Sequence, residues 1–283
     1  MSDPVVASAG APLQRGTPPG SLRYFSALFA PPERRALLES LYAFEAELRD
    51  TVSSASHEVA HTRLQWWRGE VDRYVGGRPQ HPVTVALLGL RDCAGHDPGL
   101  LHELLTAADL DLARMTYATR SELEAYLFRA AGSLQTLAAA VLAGARPLGD
   151  GEREFARRLG SAVRQCEALR DFAFDRARGR LYLPLDEIER AGLDPTDLDA
   201  AAPERLQGML EGWRAQVRMS FDDLLPLLTP EERSAQRPGL VLCALHQRLL
   251  ERVDLRVPLR AERTELPPWR RLWTAWTTAV RHA

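Results

Sequence analysis

Three acidic residues, each four positions after the last, lie in the second half of the chain: Glu167, Asp171 and Asp175. On an α-helix this spacing stacks side chains on one face, about 6 Å apart along the axis. Stacked carboxylates repel one another unless a cation lies between them. Magnesium takes oxygen ligands and often bridges one or two carboxylates to a phosphate. The spacing therefore indicates a candidate site for magnesium and a phosphate group.

A solvated helix face is the alternative interpretation of the same stretch. Arg164, Arg170 and Arg178 each lie three residues from one of these acids, a spacing that allows ion pairs. Spacing alone favours this alternative, because acids four residues apart are frequent on helices. Arg180 and Tyr182 follow directly, and both side chains can hold phosphate oxygens.

The composition narrows the class of protein and the kind of phosphate contact. The chain has 283 residues, of which 45% are hydrophobic and 26% charged, with a formal net charge of −2. It lacks the basic excess of a nucleic-acid-binding protein, so no nucleic-acid partner is expected. All 36 basic residues are Arg. Any bound phosphate would therefore be held by guanidinium groups, whose planar fork suits bidentate contacts.

A cytoplasmic location is expected from the cysteines and from the absence of targeting signals. Cys93, Cys166 and Cys243 are far apart and match neither a disulfide framework nor a zinc-binding pattern, which is typical of a reducing compartment. The N-terminus lacks the basic and apolar segments of a signal peptide. No apolar run is expected to span a membrane.

The elements that must position these residues are predicted to be helices. Apolar residues recur at helical spacing nearly throughout, and no run alternates as a strand would. Helices are predicted from about residue 31, over about 56–76, from 82, from 98, and over about 121–144, 152–176, 188–193, 203–228 and 236–255, with a last helix at the C-terminus. Residues 1–20, rich in Pro, Gly and Ala, are predicted to be a disordered lead, and residues 21–283 one all-α domain.

Two further features, the tryptophans of the last helix and Asp111, are interpreted first as structural. Trp269, Trp273 and Trp276 follow i, i+4, i+7 spacing on the last helix, which predicts a face docked on the rest of the protein. A peripheral membrane contact or a groove for a protein partner is the alternative. Asp111 is interpreted as a solvent-facing residue or part of a helix cap.

The stretch around the three acids also resembles a known motif. LRDFAFDRARGRLYLP is similar to the second aspartate-rich motif of the squalene/phytoene synthase family, with matches at Arg170, Asp171, Asp175, residues 179–180 and residues 182–184. The motif usually begins with Asn, which falls on Glu167 here. Residues 23–26, 31–35, 41–44 and 117–132 resemble the family's earlier segments.

This resemblance implies a fold and an activity. The family has a single all-α, isoprenoid-synthase-type helical bundle with a central cavity. Its enzymes join two isoprenyl diphosphates head to head, using magnesium held by two facing aspartate motifs. The resemblance implies catalytic roles for Asp171, Asp175 and Tyr182, with both acids binding magnesium. Arg170, Arg180 and, in the opening segment, Arg34 are the implied contacts to the diphosphate.

The first aspartate motif departs from the family pattern. Arg49 stands at its first aspartate position, Asp50 remains, and Glu47 lies close enough in sequence to stand in. The expected magnesium ligands are therefore Asp50 and Glu47 on one side, and Asp171, Asp175 and Glu167 on the other. Arg49 is expected to hold diphosphate without a metal. Asp50 points away from Leu41 on its helix, either to the cavity or to solvent.

Two functions from different classes follow from this pattern. The first is a magnesium-dependent prenyltransferase of isoprenoid biosynthesis that binds isoprenyl diphosphates. The second is a catalytically inactive member that binds lipid or helps to assemble a respiratory complex with a protein partner. The altered first motif and residues 63–68 resemble a divergent branch that includes a mitochondrial complex I assembly factor, and favour the second. The intact second motif favours the first.

Overall fold

Helices make up almost all regular structure in the computed structural model, which describes residues 13–54, 56–198, 201–256 and 263–282. Over these residues the only β-type pairing is an isolated bridge between Tyr117 and Pro184. The all-α prediction is confirmed.

The first half of the chain forms seven of the helices that we number. Ser21 caps the first by accepting a hydrogen bond from the backbone N–H of Tyr24, and Pro32 begins the second, where a proline loses no hydrogen bond. A 3₁₀ turn covers Leu87–Asp92 and a π-helical turn covers Phe128–Gly132. The helices are α1 (Leu22–Ala27), α2 (Pro32–Val52), α3 (His57–Val75), α4 (Pro82–Ala86), α5 (Gly99–Leu112), α6 (Arg120–Leu127) and α7 (Ser133–Ala143).

The second half contributes α8 (Asp150–Arg170), α9 (Phe172–Arg176), α10 (Leu185–Arg190), α11 (Pro203–Asp222), α12 (Pro230–Ala235), α13 (Arg237–Leu250) and α14 (Pro268–Arg281), with a 3₁₀ turn at Leu225–Leu227. The single helix expected over about 152–176 is interrupted at Asp171, whose backbone has φ −95° and ψ 10°. The backbone N–H of Asp175 still donates to the carbonyl of Asp171 at 2.8 Å. The two acids therefore keep their helical spacing across the break.

Two apolar clusters hold the bundle together. The first joins α2, α3, α5 and α7 and includes the fully buried Phe44 and Leu64. The second joins α8, α11 and α13 and includes Phe155 and Leu245. Burial of such side chains contributes roughly 1.5–3 kcal/mol each. Because α2 and α5 belong to one cluster and α8 to the other, the space between these helices is where polar residues can meet.

The segment Arg120–Ala143 has 24 residues, and its most apolar stretch of 18 residues has a mean hydropathy of 1.2, so by length and composition it could cross a membrane. It is an exception to our expectation that no such run occurs. However, 67% of that 18-residue stretch is buried inside the protein, as for a core helix. Gly160 on α8 allows the close crossing, because a Cβ there would collide with the Ala131 carbonyl.

The prediction of a disordered lead is wrong for residues 13–20. Gly16 packs against the backbone of Tyr42 and Ala43, and Thr17 is buried. Arg15 forms an ion pair with Glu47 at 3.2 Å. Small residues allow this segment to lie directly on α2, which composition alone does not reveal. Residues 1–12 lie outside the described part of the chain.

Candidate functional site

A cavity of about 140 Å³ lies between α2, α5, α8 and α9. Its apolar lining includes Leu48, Leu104 and Phe174. Its charged lining is four carboxylates and four guanidinium groups: Glu45, Asp111, Asp171, Asp175, Arg49, Arg164, Arg180 and Arg263. Equal numbers of acids and arginines make this cavity nearly neutral, whereas a site built only to collect cations would be acidic.

Asp171 is held by arginines on both of its oxygens. Arg170 donates from Nε at 2.8 Å and from its terminal nitrogen at 2.7 Å, a bidentate pair. Arg263 lies 3.3 Å from the same carboxylate. Arg170, expected to contact a substrate, is not among the residues that line the cavity, and its guanidinium is engaged with Asp171.

Asp175 lies one helical turn further along the same face. Burial raises its pKa, and the neighbouring Asp171 and Asp111 raise it further, while Arg164 and Arg180 act in the opposite direction. The net increase means that the arginines do not fully compensate the negative charge of Asp175. A cation bound beside this carboxylate would lower its pKa, so Asp175 suits a metal contact.

Arg180 lines the cavity and carries an unsatisfied donor. Its Nε atom is buried and has no hydrogen-bond partner in the described part of the structure. One terminal nitrogen makes a long contact, 3.4 Å, to the carbonyl of Val52. A buried donor without a partner is costly, by about 1–3 kcal/mol. An anion in the cavity would satisfy it.

Tyr182 is oriented by an acid that the sequence analysis did not assign to the site. Its hydroxyl donates to Oδ1 of Asp111 at 2.7 Å, and the Tyr126 hydroxyl donates to the same atom at 2.8 Å. Arg164 lies over the Tyr182 ring at 4.5 Å. Burial raises the pKa of Tyr182, so its hydroxyl keeps its proton. The Tyr182 hydroxyl is thus fixed at the cavity wall, with its proton donated to Asp111.

The expectation that Asp111 faces solvent or caps a helix is wrong. Leu104, Ala107, Ala108 and Asp111 follow i, i+3, i+4, i+7 spacing on α5, and all four line the cavity. That stripe is the sequence signal that could have found Asp111.

An ion pair between Arg49 and Glu167 connects α2 to α8 beside the cavity, with 2.9 Å between their nearest atoms. Arg49 also pairs with Glu45, one turn earlier on α2. Burial opposes ionisation of Glu167, but Arg49, Arg23 and other nearby arginines hold the pKa of Glu167 well below its usual range. Glu167 is therefore a buried carboxylate satisfied by arginines, and it does not line the cavity.

The other expected first-motif ligands also lie away from the cavity, which corrects their assignment. Asp50 has a side chain that is 59% exposed and pairs with Arg63 at 3.1 Å. Glu47 pairs with Arg15. The face of α2 that borders the cavity carries Glu45, Leu48, Arg49 and Val52. Positions 47 and 50 fall off this face, because each residue turns the helix by about 100°.

Arg34, the third expected substrate contact, is also remote from the cavity. Its guanidinium lies against Gly144, whose φ of 64° and lack of a side chain leave room for it. Arg34 therefore packs against the end of α7.

The described residues fit magnesium on one side of the cavity only. No group of three or more His, Cys, Asp or Glu side chains in the described ranges is arranged to hold a metal. Magnesium is commonly bound by one or two carboxylates with substrate phosphates completing its shell. Asp175 and Asp171 suit such a site, if a phosphate takes part. The α2 side, where Arg49 stands, does not.

Comparisons with known proteins agree with this arrangement of helices. The family model described as squalene/phytoene synthase matches residues 19–276. A crystal structure of a dehydrosqualene synthase in complex with ligand superposes with a TM-score of 0.76 at 19% identity, covering 92% of this chain and 90% of that one. The structure of a squalene synthase from Alicyclobacillus acidocaldarius superposes with a TM-score of 0.59 at 20% identity, covering 80% of this chain and 88% of that one. Both structures support the isoprenoid-synthase-type fold.

Curated relatives include two phytoene synthases. The 15-cis-phytoene synthase of Synechocystis sp. is 26% identical over 246 residues, which is 82% of this chain and 72% of that protein. Phytoene synthase 3, chloroplastic, of Zea mays is 26% identical over 238 residues, 82% of this chain and 55% of that protein. The chain spans little more than half of the Zea mays protein. The divergent assembly-factor branch stays a prediction. Since the family model covers most of its length, the chain belongs to the squalene/phytoene synthase family.

Proposed function

We propose that the protein binds an isoprenyl diphosphate in this cavity and acts as a squalene/phytoene-synthase-type prenyltransferase of isoprenoid biosynthesis. The observation that carries the proposal is the buried, unpartnered Nε of Arg180, at a cavity that Asp171, Asp175 and Tyr182 also line. A diphosphate would supply the acceptor oxygens that Arg180 lacks. Arg164 and Arg49 line the same cavity and add positive charge for the remaining oxygens.

The metal set of the proposed site is reduced. Asp175, together with Asp171, would hold magnesium, which would supply positive charge to the departing diphosphate. On the α2 side Arg49 would supply a fixed positive charge without a metal. Tyr182 donates its single hydroxyl proton to Asp111 at 2.7 Å, so it would hold Asp111 at the cavity wall beside the diphosphate. In this proposal arginines supply part of the positive charge that stabilises the departing diphosphate. In the family, two metal-binding motifs share that role.

The apolar wall of the cavity suits the hydrocarbon part of the substrate. Leu48, Leu104, Ala108 and Phe174 border it. Its volume of about 140 Å³ is well below the roughly 300–1,000 Å³ of typical ligand pockets. Entry of a long prenyl chain therefore requires the cavity to open. Displacement of Arg263, which contacts Oδ1 of Asp171 at 3.3 Å, would open it and leave Asp171 with Arg170 as its remaining arginine partner, so that one lone pair of Oδ1 could face magnesium.

The second candidate function, a member that binds prenyl lipid without turnover or acts in respiratory-complex assembly, is favoured by one observation. Arg49 is paired with Glu45 and Glu167 rather than free, so part of its charge is already compensated. A protein with this second function would bind isoprenyl diphosphate but form no product.

Turnover assays distinguish the two functions. Purified protein would be incubated with farnesyl or geranylgeranyl diphosphate and magnesium, and released inorganic diphosphate and extracted hydrocarbon would be measured. We expect turnover in the wild type and a loss of at least about 100-fold in Asp175→Ala. Asp50→Ala is the matched control, because Asp50 is exposed and away from the cavity, and should retain wild-type turnover. Binding without any product would select the second function.

A further inference from the structure

The C-terminal helix α14 carries its large apolar residues on its outward face. Trp269, Leu272, Trp273, Trp276 and Val280 are each between 50% and 64% exposed. At about 100° per residue they fall within a single arc of about 100°. The earlier expectation that the tryptophans dock onto the rest of the protein is therefore wrong.

The inward face of α14 is made of smaller residues. Ala275 and Ala279 are buried, and Arg271 turns inward to donate to the carbonyls of Leu266 and Gly20, each at 2.6 Å. At about 100° per residue these three positions lie on one flank of the tryptophan arc, and Arg270 and Arg281 lie on the other flank. The helix is thus fixed to the domain by its small face, the reverse of an ordinary surface helix, which turns its apolar face inward. An exposed apolar face on an anchored helix marks a contact surface.

The charge around this face is positive. Within Pro268–Arg281 there are three Arg residues and no acid. Arg270 and Arg281 lie on the flank of the arc that borders a groove of about 1190 Å³ between α14, α11 and α13. That groove is lined by five arginines and three acids: Arg214, Arg218, Arg248, Arg270, Arg281, Glu211, Asp222 and Glu251.

We propose that α14 docks the protein on the surface of an anionic lipid bilayer. Trp269, Trp273 and Trp276 would lie at the level of the headgroups, where indole rings are favoured, with Leu272 and Val280 among the upper acyl chains. Arg270 and Arg281 would contact anionic headgroups at the flank. This proposal stands on the surface alone and does not depend on the activity of the cavity.

The same observations argue against a second copy of the chain as the occupant. A two-fold dimer would place this patch against itself. Two arginine-rich surfaces without compensating acids on α14 would then face each other and repel. A bilayer with anionic headgroups supplies both the apolar phase and the opposite charge that the patch lacks.

Vesicle co-sedimentation tests the proposal with the full-length protein. Vesicles of phosphatidylcholine alone would be compared with vesicles of phosphatidylcholine and phosphatidylglycerol. We expect binding to the anionic vesicles, weaker at high salt, and a decrease of at least about tenfold in the partition coefficient for the double variant Trp273→Ala/Trp276→Ala. Trp66→Ala is the matched control, since Trp66 is 45% exposed on α3, and should bind as the wild type does.

A second variant separates charge from apolar contact. Arg270→Gln/Arg281→Gln should remove most of the preference for anionic over neutral vesicles, with the unfolding midpoint unchanged because both side chains are exposed. Three results would overturn the proposal. These are equal partition of the wild type and the tryptophan variant, equal binding to both kinds of vesicle, or a lipid-free dimer, seen by light scattering, that the tryptophan variant abolishes.

Discussion

Arg49 on α2 and Glu167 on α8 form an ion pair, 2.9 Å apart, that spans the two helices at the edge of the cavity. The resemblance of the two motifs implies that each residue departs from the family pattern, with an arginine at an aspartate position and a glutamate at an asparagine position. The two changes add opposite charges, and the fold brings them together. On that comparison the pair would compensate locally for a lost carboxylate, with a guanidinium where the resemblance implies a metal ligand.

The coupling between these two residues can be measured by a double-mutant cycle. Arg49→Asp would put a third carboxylate beside Glu45 and Glu167, and we expect it to destabilise the fold by roughly 2–4 kcal/mol. Glu167→Asn alone would leave the arginines near this position without their shared anion. The double variant, which carries the family's residue types, should recover stability, with a coupling energy of about 1–3 kcal/mol in urea unfolding. Additive effects would show that the pair is not a unit.

The charge of Asp175 should reduce the stability of the ligand-free protein more at neutral pH than at acid pH. Burial and the neighbouring acids raise its pKa in the folded state. Because the folded state then holds this proton more tightly than the unfolded chain, the charge of Asp175 costs stability above its folded-state pKa. We therefore expect Asp175→Asn to raise the thermal unfolding midpoint near pH 7, with the difference vanishing at acid pH. A lower midpoint for the variant at pH 7 would contradict this account.

His246 on α13 should have the opposite effect, reducing the stability of the protein at acid pH. Burial lowers the pKa of His246 from 6.5 to about 4, and its Nδ1 atom lies 2.9 Å from the Leu242 carbonyl. The unfolded chain binds the proton more readily, so stability should fall as the pH decreases from about 6.5 to about 4, by about 3 kcal/mol in total. His246→Gln should flatten this part of the stability curve, whereas His57→Gln, at an exposed position, should not.

Asp111 should support the site through the two tyrosines that it holds. In Asp111→Ala the hydroxyls of Tyr126 and Tyr182 lose their shared acceptor, and we expect a loss of about 1–3 kcal/mol in unfolding free energy. Asp111→Asn keeps an acceptor oxygen and should cost less. Titration calorimetry should show weaker binding of farnesyl diphosphate in both variants, with the larger loss of affinity in Asp111→Ala. Equal effects of the two variants would show that the acceptor atom is unimportant.

The second motif could be located from the sequence because its parts lie close together in the chain. Asp171, Asp175, Arg180 and Tyr182 fall within a dozen residues, and one helical turn and the following loop carry them to the same cavity wall. Helix positions were predictable for a similar reason, since the apolar period and the prolines are local signals. The break at Asp171 was missed because it preserves the hydrogen-bonding pattern on either side.

The remainder of the site depends on contacts between distant parts of the chain. Asp111 acquires its role from Tyr182, 71 positions later. The family resemblance places Asp50 and Glu47 at the site, but α2 is buried on more than one side, so its apolar stripe does not indicate which polar face meets the cavity. Their arginine partners, Arg63 and Arg15, decide their placement. No local pattern in the sequence specifies such pairs.

The central claim is that the cavity is a diphosphate site completed by Arg180. Titration calorimetry of farnesyl diphosphate, with and without magnesium, tests it most directly on the wild type, Arg180→Ala and, as a control, Arg34→Ala. We predict binding by the wild type that magnesium strengthens, a loss of at least about tenfold in affinity in Arg180→Ala, and little change in Arg34→Ala. Equal affinities of the wild type and Arg180→Ala, or no binding by the wild type under either condition, would contradict the account.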